Sequence, residues 1–169
     1  YLAPRITYKN LQDYLSLKLL TLYLGGGMSG KLFEILREQH SLCYETNCFY
    51  PTKYLDSHFV IYLGLDHQRI VVAKEEIRSM IDKILKGEMF TENDLSIVKT
   101  KIRGRYLLDH QTNIRQAWYL GFWEIIGMGY EFDQKYLEEV EKISIEDVRN
   151  TVKHLFSMEP VVVELIPKG

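Results

Sequence analysis

At 169 residues the chain fits one domain, long enough to bury about 70% of its unfolded surface and hold a core without staples. Lysine and arginine number 21 against 23 acids, for a formal charge of -2, which excludes the electrostatic footprint of a nucleic-acid or anionic-membrane binder. No apolar run approaches the roughly 20 residues of a membrane span, and no basic-then-apolar leader is present, so the expectation is a cytoplasmic protein with neither nucleic acid nor membrane among its partners.

In chain order, Tyr1-Leu2-Ala3-Pro4-Arg5 reads as the tail of an extended segment that Pro4 stops, and without an initial methionine the expectation is a chain that begins mid-protein. A helix is predicted from Asn10: Leu11, Tyr14, Leu15, Leu19 and Leu22 form one stripe, and Leu17, Leu20 and Leu24 widen it until most of the circumference is apolar. Gly25-Gly26-Gly27 ends it, and Ser29 is placed to cap a second short helix with Leu32, Phe33 and Leu36 inward. Cys43 to Tyr50 and Ser57 to Leu65 read as two antiparallel strands of a hairpin, with Pro51 and Asp56 between them. Five positions apart on a strand, Cys43 and Cys48 face opposite ways and read as free thiols.

An amphipathic helix follows over Ile70 to Leu85, closed by Lys86-Gly87. Thr91 and Asp94 then form a capping-box-like start to a helix with Leu95, Val98 and Ile102 inward. Beyond Thr112 an aromatic helix carries Trp118, Phe122 and Trp123 and ends at Gly127-Met128-Gly129. Ser144 to Asp147 starts a last helix with Val148, Val152 and Leu155 inward, and Pro160 to Ile166 reads as a final strand alternating around Glu164. Few, separated strands with helices clustered between them predict an α+β fold in which helices cover one face of a mostly antiparallel sheet.

Gly25-Gly26-Gly27-Met28-Ser29-Gly30-Lys31 satisfies most of a phosphate-loop pattern, but Leu32 stands where a magnesium-binding hydroxyl belongs and a helix precedes the run instead of a strand. A helix-ending hinge that lets two backbones approach closely explains the glycines at least as well. His40, His58, His67, His110 and His154 show neither H-E-x-x-H nor H-x-x-E-H spacing, and each reads as a surface or rim residue rather than a metal ligand. No G-x-S-x-G elbow offers a nucleophile.

Leu24-Gly25-Gly26-Gly27-Met28-Ser29-Gly30-Lys31-Leu32-Phe33, followed by Leu36-Arg37-Glu38 and Leu42-Cys43-Tyr44, resembles a segment of the insulinase/pitrilysin-type zinc metallopeptidases, which include the mitochondrial processing peptidases. The likeness continues through Phe90 to Leu95 and Ile143 to Val148 and so covers nearly the whole chain. It implies a clamshell of half-domains in which one half holds zinc through H-x-x-E-H and a later half contacts the substrate backbone with an arginine and a tyrosine, here Arg37 and Tyr44. Residues 1–169 would then be a single non-zinc-binding half-domain lacking its first strand, inactive in isolation, with zinc held by a partner half-domain in the same polypeptide or another subunit and with peptides as substrates. Leu165-Ile166-Pro167 resembles the end of the family's last domain. A missing strand would leave an open sheet edge and favour self-association.

The chemistry suits the pair, since a guanidinium fork and a phenol hydroxyl can both hold a peptide carbonyl and stabilise a developing oxyanion. Taken without the resemblance, a helix-flank arginine is usually a solvated charge and a strand tyrosine usually packs. Glu38 and Lys31 read as solvated, and Trp118, Tyr119 and Trp123 as core or inter-domain contacts. The alternatives are a structural subunit of the same family that has lost catalysis, or a phosphate-binding protein using residues 25–31.

Overall fold

A computed structural model of the chain describes residues 1–55 and 57–166. The short strand β1 (Leu2–Ala3) stops at Pro4, which has no N–H for a ladder. Helix α1 (Leu11–Gly25) then buries Tyr14, Leu15, Leu17, Leu19, Leu20, Tyr23 and Leu24. A helix apolar on nearly every face needs neighbours on nearly every face, and α1 accordingly runs through the centre of the core.

Strand β2 (Glu45–Phe49) pairs antiparallel with β4 (Val60–Gly64), from Glu45↔Gly64 to Phe49↔Val60. Strand β3 (Ser57–His58) pairs antiparallel with β1. Between β3 and β4, Phe59 is buried and exchanges backbone hydrogen bonds with Tyr1, N to O at 2.9 Å and back at 3.1 Å. The strands therefore form two small antiparallel ladders on one bent extended run rather than a single broad sheet. The hairpin residue Asp56 lies outside the described residues, as does Pro167.

Helix α2 (Ile70–Leu85) ends at Gly87, whose φ of +76° suits a glycine. Helix α3 (Glu92–Asp109) starts in a reciprocal box in which Thr91 accepts from Asp94 N–H at 3.3 Å and Thr91 N–H donates to Asp94 at 2.8 Å; Leu95, Val98 and Ile102 face inward. Helix α4 (Asn113–Ile125) buries Trp123 and leaves Trp118 half open. Helix α6 (Ile145–Phe156) repeats the box with Ser144 and Asp147 and packs Val148, Val152 and Leu155 inward. The α+β expectation holds, with α1 enclosed by α3, α6 and β2.

Three sequence expectations are corrected. Ser29 caps no helix: its hydroxyl donates to the Gly26 carbonyl at 3.2 Å and accepts from Lys101 at 2.8 Å. A helix absent from the sequence reading, α5 (Phe132–Lys142), follows Gly129. Its fully buried residues are only Phe132, Asp133 and Val140, a seam too thin to stand out in a mostly charged stretch; an 11-residue helix depends on tertiary packing. The expected last strand is not paired, because residues 159–166 find no ladder neighbour among the described residues. Val161, Val163 and Leu165 are 85%, 81% and 97% exposed against 57% for Val162 and 54% for Ile166, so strand alternation survives without a partner strand.

Candidate functional site

Arg37 sits on a π-helix, Phe33–Gln39, a rare geometry frequent at functional sites. Buried Leu32 and Leu36 anchor this turn in the core. At its end Ser41 takes φ +51°, an uncommon value for a residue with a side chain, and Leu42 N–H donates to the Leu36 carbonyl at 2.7 Å. Arg69 donates to the Ser41 carbonyl from the start of the α2 region. These bonds reverse the chain and feed it into β2.

The Arg37 guanidinium lies 5.0 Å from the centroid of the Phe33 ring, a contact that orients the fork without neutralising it. Among the described residues no carboxylate forms an ion pair with it. Arg37 is close enough to act on Cys43: burial pushes that thiol up and the Arg37 charge pulls it the other way.

Tyr44 is 67% exposed, so it is not the packed strand tyrosine that general preference would give. It is nevertheless held. Its N–H donates to the Gly64 carbonyl at 2.9 Å, and its ring lies across Gly64, where a Cβ would stand 2.7 Å from the Tyr44 Cε2. Glycine at position 64 is what lets the ring lie there. Phe49 and Tyr62, 44% and 43% exposed with ring centroids 6.5 Å apart, continue an open aromatic surface along the β2–β4 ladder. Glu38 is exposed, whereas Lys31 is ion-paired with Glu34 at 2.6 Å.

The glycine run is a packing device. A Cβ on Gly25 would stand 2.4 Å from the Cys48 nitrogen, and one on Gly30 2.6 Å from the Leu24 carbonyl oxygen. With α1 before the run and Lys31 already paired, the phosphate-loop reading loses both its strand and its free ammonium. Cys43 and Cys48 are free and buried, and burial raises both thiols.

His110 is not the rim residue expected. Its side chain is 11% exposed and its partner Asp133 7%. Nε2 lies 3.0 Å from Asp133 Oδ2 and Nδ1 2.7 Å from the Tyr106 carbonyl. Asp133 also accepts from Trp123 Nε1 at 2.9 Å and from the Tyr106 hydroxyl at 3.4 Å. Sequence reading missed this network because α5 was missed. Among the described residues no three His, Cys, Asp or Glu side chains converge as a metal site.

A family model described as the peptidase M16 inactive domain matches residues 1–102. A Rickettsia felis protein named an uncharacterized zinc protease is 29% identical over 157 residues, covering 89% of this chain and 36% of its own length. A Helicobacter pylori protein named a non-peptidase homolog is 22% identical, over 90% of this chain and 35% of its own. Among solved structures, the peptidase M16 inactive domain from Pseudomonas fluorescens superposes with a TM-score of 0.77 at 17% identity, over 91% of this chain and 36% of that one. The chain thus spans about a third of the length of the curated relatives it matches.

Proposed function

This chain belongs to the peptidase M16 inactive-domain family, and from that premise we propose that it is the substrate-contacting, non-catalytic half of a larger zinc-dependent endopeptidase acting on peptides or small proteins. Arg37 and Tyr44 donate hydrogen bonds to substrate carbonyl oxygens, and the hydrolytic zinc belongs to another half-domain, in the same polypeptide or a partner subunit. The observation that carries this reading is Tyr44, fixed against Gly64 yet 67% exposed. A tyrosine kept for packing would bury its ring; one kept for a ligand presents its hydroxyl on a rigid support. Arg37, oriented by Phe33 and unpaired by any described carboxylate, offers the second donor.

The test is peptide turnover by the full-length protein carrying Arg37→Ala or Tyr44→Phe. Each variant is expected to lower kcat/KM by about 100-fold or more, the scale of one lost transition-state donor, with an unchanged melting temperature. Unchanged turnover, or a core-scale loss of stability, overturns the assignment.

The non-peptidase name of the Helicobacter pylori relative favours a second reading, a structural half-domain of an assembly that has lost hydrolysis. A wild-type protein that retains zinc and hydrolyses no member of a peptide library would select it.

A further inference from the structure

A groove of about 1030 Å³ is lined by α1 and β2 on one side and by α3, α4 and α5 on the other, and neither Arg37 nor Tyr44 lines it. The volume is at the upper end of the range for ligand pockets. On one wall Lys18 rises from the leucine-rich face of α1. Its amine donates to the Tyr50 carbonyl at 2.6 Å and lies 5.3 Å and 5.2 Å from the ring centroids of Tyr14 and Tyr50. One carbonyl engages one of three ammonium donors, and no carboxylate among the described residues forms an ion pair with this cation.

Across the groove stands Arg105, whose side chain is 77% exposed and forms an ion pair with Asp109 at 4.0 Å, one turn along α3. The two cations share one space: burial pushes the Lys18 amine down to about 8, and the Arg105 charge adds to that effect. The acids that line the groove are already engaged. Asp109 accepts from the Tyr119 hydroxyl at 2.9 Å, and Asp133 serves His110, Trp123 and Tyr106. Arg105 is paired with Asp109, so the Lys18 ammonium is the cation that faces the cavity without a carboxylate partner among the described residues, and an anionic ligand group would supply one. The rest of the wall is aromatic, with Trp118 stacked on Phe122 at 5.1 Å and Trp118 56% exposed.

We infer that this groove is a second ligand site, which takes a carboxylate carried on an aromatic body, the carboxylate between Lys18 and Arg105 and the body against Trp118, Tyr119 and Phe122. A monoanion fits better than a phosphate, because Asp109 and Asp133 on the same wall repel a second negative charge. The aromatic surface rewards a flat apolar group. Such a ligand is either a small aromatic acid or the free C-terminus of a peptide ending in an aromatic residue.

Trp118 and Trp123 both line the groove, and isothermal titration calorimetry reads its occupancy. The full-length protein is titrated with N-acetylphenylalanine, its primary amide, a pentapeptide ending in phenylalanine, and that peptide's C-terminal amide. Each acid is expected to bind at least about 10-fold tighter than its amide, the scale of a charge-assisted contact. Lys18→Met removes the difference, and Arg105→Gln, an exposed substitution that leaves the fold alone, reduces it at least about 3-fold. Tighter binding of the pentapeptide acid than of N-acetylphenylalanine supports the site and assigns it to peptide C-termini; equal binding supports it and assigns it to small aromatic acids. Acids and amides that bind alike, no binding by any probe, or an Arg105→Gln variant with the full acid preference overturns the inference.

Discussion

Replacing Gly25 by alanine tests the packing account of the glycine run. Gly25 is the last residue of α1, and a Cβ there would stand 2.4 Å from the Cys48 nitrogen, 2.6 Å from its Cβ and 2.9 Å from its Cα. Cys48 is a buried residue of a paired strand, so none of these atoms can swing aside. Alanine gains about 1 kcal/mol over glycine in a helix, while forcing a methyl into filled space costs about 1–3 kcal/mol, with backbone obstacles at the upper end. Gly25→Ala is therefore expected to lose about 2 kcal/mol, read as a lower urea midpoint at unchanged slope by Trp118 and Trp123 fluorescence. Gly104 is the control: it is exposed within α3 with nothing within 4 Å of its would-be Cβ, so Gly104→Ala should gain up to about 1 kcal/mol. A Gly25→Ala variant as stable as Gly104→Ala would refute the close-approach reasoning.

Asp133→Ala should cost about 3 kcal/mol, because it leaves the Trp123 indole, the Tyr106 hydroxyl and the His110 ring without their shared acceptor; a thermal midpoint within a degree or two of wild type would contradict that. Lys18 gives a pH signature whose sign follows from its lowered value of about 8 against an unfolded value of 10.5. Between those limits the unfolded chain holds a proton that the fold has released, so the Lys18 contribution stabilises the fold as pH rises from about 8 to 10.5, by about 3 kcal/mol. Subtracting the Lys18→Met profile cancels the buried tyrosines and Cys48, which titrate the other way; parallel profiles for the two proteins would exclude the effect. Gly64→Ala should displace the Tyr44 ring, 2.7 Å from the added carbon, and lower peptide turnover by the full-length protein without touching either proposed donor. Turnover equal to wild type would detach Tyr44 from its support.

Most elements were legible because their signals are local. Thr91 with Asp94 and Ser144 with Asp147 are spaced as capping boxes and cap as expected. The stripe on α1 and the glycine after α2 follow from helical periodicity and from the left-handed backbone at Gly87. The proposal for Arg37 and Tyr44 comes only from the family resemblance, since no local rule separates a substrate donor from a solvated arginine or a packed tyrosine. Helix α5 escaped because its charged sequence hides a seam of few buried residues, and the last strand was over-read because alternation describes a segment able to pair without supplying a neighbour.

By itself the sequence determined the bounds of α1 and α2, the capped starts of α3, α4 and α6, the antiparallel hairpin and the α+β class. Only the tertiary structure decided which groups lose water and which meet. It brings His110 to Asp133 across 23 positions and Gly25 against Cys48, and it leaves the Lys18 amine in an aromatic groove facing Arg105. Desolvation and close approach are properties of packed neighbours, and in this chain those neighbours come from helices and strands far apart in sequence.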